Sequence, residues 1–170
     1  MSGVRKVLVF PAGTEVGLEI YAALSACKEV KLFAAGQSLS NHAELLYEAY
    51  HHIPDIHSEN WLEQLIRLVE KLEIDYIFPA YDDVIVALSE NREKIQATIL
   101  APSNDVCILT RSKKLTYEKL SSIVKTPKIF EFAKDVNSFP VFVKPDRGQG
   151  SFGVKLVHSP EELNQAISAT

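Results

Sequence analysis

The sequence predicts an α/β fold: an open parallel sheet over residues 1–103, followed by an incomplete α+β unit over residues 104–170. Three observations predict it. Short apolar runs alternate with longer amphipathic stretches through the first hundred residues, which is the rhythm of strand and helix in turn. Those apolar runs carry no polar face, as in strands covered on both sides by helices. From Asn104 onward the rhythm changes to helix, then two short strands around a glycine-rich loop.

Each element has a local cause. Residues 6–10 (KVLVF) form a first strand. Residues 14–27 read as a helix, with Val16, Ile20, Ala23, Leu24 and Cys27 along one stripe. Residues 30–34 form the next strand, which Gly36 ends. Residues 43–50 look helical, and 52–56 read as a short strand. Ser58 or Asn60 then caps a helix whose inner face holds Trp61, Leu62, Leu65, Ile66, Leu68, Val69 and Leu72. Residues 75–79 are a strand, Asp82 or Asp83 caps a helix running to about residue 97, and 98–101 are a further strand. Residues 105–123 make one helix or two, and Thr126-Pro127 ends them. Residues 128–132 read as a strand. Residues 139–143 and 154–157 bracket the glycine loop and pair antiparallel, since so short a connection allows no parallel crossover. Ser159-Pro160-Glu161-Glu162 is a capping box that opens a last helix.

Composition narrows the function classes. The chain has 170 residues, 46% hydrophobic and 24% charged, with net charge −4. Charges of both signs are interspersed, so there is no basic footprint for nucleic acid and no polybasic patch for a membrane. No apolar run approaches a membrane span, and the start lacks the pattern of a cleaved leader. Cys27 and Cys107 lie far apart in apolar patterns, which places both in the core and is the expectation for a reduced, cytoplasmic protein. The five histidines share no metal-ligand spacing.

The most informative stretch is FVKPDRGQGSFGVKLV, residues 142–157. A strand ends in Lys144-Pro145, and a loop with Gly148, Gly150 and Gly153 leads into a second strand. Such a loop can turn backbone N–H groups toward an anion, because glycine tolerates positive φ and adds no side chain. Lys144 would bring a fixed positive charge to its entrance. The loop is neither a GxxxxGK[ST] phosphate loop nor a strand-to-helix GxGxxG turn, since a strand follows it. On letters alone it could equally be an ordinary glycine-rich hairpin loop.

This segment resembles the nucleotide-binding segment of the ATP-grasp superfamily, in which an apolar strand ends in Lys-Pro and a flexible glycine loop folds over a triphosphate. Lys113-Lys114-Leu115 with its helix, and Val124-Lys125-Thr126-Pro127 after it, resemble the family's Asp-Lys helix and the strand that follows. The first hundred residues resemble the Rossmann-like domain that precedes the grasp in the carbamoyl-phosphate synthase large chain and related carboxylate–amine ligases. The resemblance implies an ATP site made by Lys114, Lys144, Gly148, Gly150, Ser151, Phe152 and Gly153. Lys113 stands where the family has an aspartate, so the ligand could be Lys113 or Lys114. Phe152 stands where the family commonly has a small or branched residue. The resemblance also implies Mg²⁺, with ligands beyond residue 170. On that reading the chain is the first part of a longer ligase and has no catalytic residue of its own. The whole enzyme would activate a carboxylate or bicarbonate as an acyl phosphate for an amine, acting on small molecules and often as a homodimer.

Two loops of the first domain are candidates for the second substrate. Gly13 and Thr14 open the first helix, as an anion site or a tight strand–helix turn. Asp82 and Asp83 follow a strand, as partners of an amine or hydroxyl or as plain helix caps. An alternative function is a non-catalytic α/β module that binds a small molecule or a partner. A dinucleotide site is disfavoured, because the glycine fingerprint after the first strand is incomplete and no acidic residue ends the second.

Overall fold

The computed structural model describes residues 3–38, 41–148 and 150–168. They form two compact units, Met1–Ile108 and Leu109–Thr170.

The first unit is a five-stranded parallel sheet in the order β3-β2-β1-β4-β5. Its strands are β1 (Arg5–Phe10), β2 (Val30–Gly36), β3 (Tyr50–His52), β4 (Tyr76–Pro79) and β5 (Thr98–Ile99). Between them run α1 (Glu15–Leu24), α2 (Ala43–Leu46), α3 (Trp61–Leu72) and α4 (Asp82–Glu90). β1 is central, with Leu8 opposite Phe33 on β2 and Ile77 on β4. Side chains alternate across a strand, and β1 therefore feeds two cores. Leu8 and Phe10 pack with Trp61, Leu65 and Val69 of α3 and Val84 and Leu88 of α4. Val9 packs with Ile20 of α1, Ala34 and Tyr47. Burial on both faces is why β1 carries no polar stripe.

Several expected boundaries shift. α1 is shorter than predicted and buries Gly17 and Ile20, while Val16 is half exposed. Cys27 is exposed, so its expected core position is corrected; it lies past α1 in the turn into β2, and only Cys107 is buried. The helix expected over 43–50 is one turn, and β3 begins at Tyr50 because Ala34, Ala35 and Gly36 pair with residues 50–52. Asn60 is the N-cap of α3, with no side-chain capping bond. The N-cap of α4 is Tyr81, so Asp82 and Asp83 sit in the first helical turn. There their charges still favour the helix dipole.

In the second unit the helical stretch after Asn104 is two helices, α5 (Asn104–Arg111, which begins in the first unit) and α6 (Lys113–Leu120). Buried Ser112 caps α6 by accepting from Leu115 N at 3.1 Å. No strand forms over 128–132; that segment has no ladder partner among the described residues. β6 (Val141–Val143) and β7 (Lys155–Val157) pair antiparallel as expected. α7 (Pro160–Ser168) covers one face of the hairpin, burying Leu163 and Ala166 against Val157, Val141 and Val143. Phe142, on the opposite face, is 69% exposed. Ser159 accepts from Glu162 N at 3.2 Å, as the capping sequence predicts.

Candidate functional site

The sheet order of the first unit places a crevice where the chain leaves the β3 edge and returns beside β1, beyond the carboxyl ends of β1 and β4. Open parallel sheets bind ligands there. A cavity of about 490 Å³ opens at this point. Gly13, Thr14 and Asp83 line it, with Gln37, Asn41, Tyr50, Asp55, His57 and Tyr81; Asp82 does not. Thr14 is the N-cap of α1: its hydroxyl accepts from Gly17 N at 3.0 Å and donates to Ala80 O at 2.9 Å. Thr14 thereby ties the β1 loop to the β4 loop. The Tyr50 hydroxyl donates to Gln37 O at 3.1 Å. Asp55 accepts from Gln37 Nε2 and, at 2.9 Å, from His57 N. Among the described residues the lining holds two carboxylates and neither lysine nor arginine. Its chemistry suits a neutral donor or an ammonium group better than a bare anion.

The second unit has its own groove of about 730 Å³. Its walls are apolar, from Ile129, Phe130, Val141, Phe142, Val143 and Ile167, and four ammonium groups, of Lys113, Lys114, Lys128 and Lys144, stand along it with the carboxylates of Glu131 and Asp146. An apolar slot edged by cations matches a ligand with a flat apolar part and a polyanionic part.

Lys144 follows the last residue of β6 and is exposed. Its Nζ donates to the Tyr117 hydroxyl at 2.6 Å and lies 4.9 Å from that ring's centre. Tyr117 on α6 went unrecognised in the sequence. Its signal was position: it stands three residues after Lys114, one turn along the same face. Lys114 Nζ lies 4.0 Å from Glu118 and 3.8 Å from Glu131, half exposed. Lys113 Nζ donates to the backbone carbonyls of Asp146 and Gly148, both at 3.1 Å. The two adjacent lysines therefore do different things, which the sequence left open.

Beyond the root of the glycine loop, Gln149 lies outside the described residues. Gly150 and Gly153 have φ of 60° and 72°, and Ser151 shares that left-handed region at 59°. A Cβ on Gly153 would also meet Pro145 Cγ at 2.8 Å, so both backbone and packing demand glycine there. Phe152 is 86% exposed. Gly150, Ser151, Phe152 and Gly153 do not line the groove, whereas Pro145, Asp146 and Val154 do.

Asp146 is the other residue that sequence reading passed over. Its carboxylate accepts from Ser112 Oγ at 2.9 and 2.8 Å and from Lys114 N at 2.8 Å. Desolvation pushes its pKa up, but the Lys114 N–H, the Ser112 hydroxyl and the nearby Arg147 and Lys113 charges outweigh it and hold the carboxyl below its usual range.

The cations and apolar walls of the groove fit ATP. For Mg²⁺ the fit fails: among the described residues no cluster of three or more His, Cys, Asp or Glu is placed to hold a metal. No helix of the described residues is long and apolar enough to cross a membrane.

Comparison with known proteins bears on both units. Residues 7–101 match the family described as PylC-like, N-terminal domain, and residues 109–170 match D-ala D-ala ligase C-terminus. Among curated relatives, vancomycin/teicoplanin A-type resistance protein VanA of Enterococcus faecium is 38% identical over 74 residues, 39% of this chain and 21% of that protein. Vancomycin B-type resistance protein VanB of Enterococcus faecalis is 62% identical over 32 residues, 19% of this chain and 9% of that protein. The matches thus span about a fifth of one curated relative and about a tenth of the other. Among solved structures, the L-amino acid ligase from Bacillus licheniformis aligns with TM-score 0.70 at 16% identity, over 99% of this chain and 41% of that one. The biotin carboxylase domain of 2-oxoglutarate carboxylase from Hydrogenobacter thermophilus, solved with MgADP, ADP and bicarbonate, aligns with TM-score 0.68 at 19% identity, over 97% and 40%. At such identities these structures speak for the fold. With a family model covering more than half its length, the chain belongs to the PylC-like N-terminal domain family, within the ATP-grasp superfamily of carboxylate–amine ligases.

Proposed function

We propose that the chain carries the first part of the ATP site of a ligase that activates a carboxylate or bicarbonate as an acyl phosphate for attack by an amine. The observation that carries this reading is the groove of the second unit, where Lys144, Lys114 and Lys113 edge an apolar slot beside Lys144-Pro145 and the glycine loop. Lys144 would leave Tyr117 to meet the phosphates, and Lys114 would exchange Glu118 and Glu131 for the same charge. Gly148, Gly150, Ser151, Phe152 and Gly153 would contribute backbone N–H groups and the Ser151 hydroxyl over the terminal phosphates. Bound Mg²⁺ would neutralise triphosphate charge; its ligands would come from elsewhere than the residues described here. This chain's own work would be binding, orientation and charge neutralisation. Residues 1–103 would form the domain before the grasp and residues 104–170 its beginning. The first unit's cavity, with Gly13, Thr14 and Asp83, would hold the amine partner. The neighbouring Asp82 would act from α4's first turn.

The match to D-ala D-ala ligase C-terminus supports a ligase of small amino-acid-like substrates more directly than a carbamoyl-phosphate synthase. The test is ADP release from MgATP by the protein as its gene encodes it, against a panel of amino acids and bicarbonate. ADP release that needs a carboxylate and an amine together supports the proposal. ATP turnover indifferent to both, or no ATP binding, contradicts it.

A further inference from the structure

The glycine loop is held very differently at its two ends. Its root, from Asp146 to Gly148, meets the first turn of α6 through six contacts. Ser112 Oγ donates to both Asp146 carboxylate oxygens at 2.9 and 2.8 Å, and Lys114 N donates to one of them at 2.8 Å. Lys113 N donates to Asp146 O at 3.2 Å, and Lys113 Nζ donates to Asp146 O and Gly148 O at 3.1 Å each. Among the described residues the far end makes one backbone bond of its own, Val154 N to Ser151 O at 3.2 Å, and a Cβ at Gly150 would have nothing within 4 Å.

We propose that Lys113 is a positioning residue that, with Asp146, clasps the root of the glycine loop onto α6, and that Lys113 does not contact the nucleotide. The proposal rests on reading the groove as a nucleotide site. The chemistry is specific to a lysine facing an aspartate. A carbonyl oxygen needs a donor, and an ammonium offers three protons, two of which are engaged here. An acidic side chain at 113 could not donate to those carbonyls and would stand against the Asp146 carboxylate. Asp146 in turn completes the cap that Ser112 begins, since its carboxylate meets the free N–H of Lys114 at the positive end of the helix. The loop's backbone donors thus start from a fixed root, which reduces the ordering cost of bringing them to an anion.

The test uses the full protein with ATP as probe and four variants: Lys113→Met, Lys113→Arg, Asp146→Ala and Asp146→Asn. Amide hydrogen exchange across residues 147–154 reads the clasp with no ligand present. Exchange should speed about five- to tenfold in Lys113→Met and Asp146→Ala, less in Asp146→Asn, which keeps one acceptor, and return to within about twofold of the parent in Lys113→Arg. ATP affinity should fall by about the same factors. Asp146→Ala carries the sign that decides, because deleting a negative charge beside a polyanion should by electrostatics alone tighten ATP. The clasp predicts weakening. Tighter ATP in Asp146→Ala with weaker ATP in Lys113→Met would make Lys113 a direct phosphate ligand and overturn the proposal. Unchanged loop exchange in both would overturn it as well. If the parent protein binds no ATP, the nucleotide reading falls, and the exchange rates alone decide the clasp.

Discussion

Replacing Gly17 by alanine sets two known effects against each other. Gly17 sits in the first turn of α1, where it is buried and donates its N–H to Thr14. A helical Gly→Ala change normally gains about 1 kcal/mol from reduced backbone entropy. Here the new Cβ would lie 2.3 Å from Ala12 O and 2.8 Å from Ala12 C. Both are backbone atoms, and Ala12 would have to retreat by about 1 Å to reach ordinary contact. It cannot do so freely: it is fully buried, and its N–H donates to Ala35 O at 2.9 Å. Overpacking a fixed site costs about 1–3 kcal/mol and occasionally more. The rigidity of Ala12 puts the cost in the upper half of that range or just beyond it, about 2–4 kcal/mol, so the net loss should be about 1–3 kcal/mol after the propensity gain. For a unit of this size that is a fall of about 4–12 °C in melting midpoint. The displaced α1 would also carry Thr14 from Ala80, opening the cavity at the end of β1. Thermal unfolding followed by circular dichroism measures the effect. A Gly17→Ala protein that melts higher than its parent would refute the packing argument.

Two further predictions concern charge. The Asp146 carboxyl is held below its usual range in the folded state, so its contribution is present above the unfolded pKa near 4 and is lost as pH falls through the folded value. Hydrogen exchange of the loop should therefore be flat in that respect above about pH 5 and speed up below about pH 4, an acid limb that Asp146→Asn should lack. Burial, with the Tyr21 charge as a smaller cause, pushes the Tyr47 hydroxyl up to about 12. Because the folded state holds that proton more tightly, the stability it supplies is complete below pH 10 and erodes between there and 12. Burial also raises the Tyr50 hydroxyl, so absorbance titration should show late-ionising tyrosines, and Tyr47→Phe should remove the step near 12.

How much of this could be read from the chain depends on where each cause lies. Apolar runs and helix stripes are local, and they located β1, β2, β4, α3 and the antiparallel hairpin around the glycine loop, and the start of α4, which ends at Glu90 and not near residue 97. Cys27 shows where that logic stops: it continues an apolar stripe, but α1 ends at Leu24 and the residue falls in an exposed turn. The strand expected over 128–132 failed for a related reason. A β-rich pattern needs a partner edge, and among the described residues none is present for it. Lys144 was legible as a strand-end lysine ahead of a glycine turn, because that spacing in the chain is the spacing in the fold, although Gly148, Gly150 and Gly153 do not line the groove. Asp146 and Tyr117 were not, because their roles arise from contacts across 34 and 27 residues. The separate work of Lys113 and Lys114 was likewise invisible, since neighbours on a helix point in different directions. The cavity of the first unit was foreseen as a region, but Gln37 and Asn41 reach it from the connection after β2, Tyr50 from β3 and Asp55 from the connection after β3.

The most direct measurement is calorimetric titration of the Lys144→Ala full-length protein, with ATP and with whichever amino acid supports ADP release in the panel. An exposed ammonium meeting phosphate oxygens forms charge-assisted hydrogen bonds, so ATP affinity should fall about tenfold or more. Amino-acid affinity should move by less than about twofold, because the cavity of the first unit contains no part of Lys144. Equal losses for both ligands, or unaltered ATP binding, would contradict the assignment of the lysine groove to ATP.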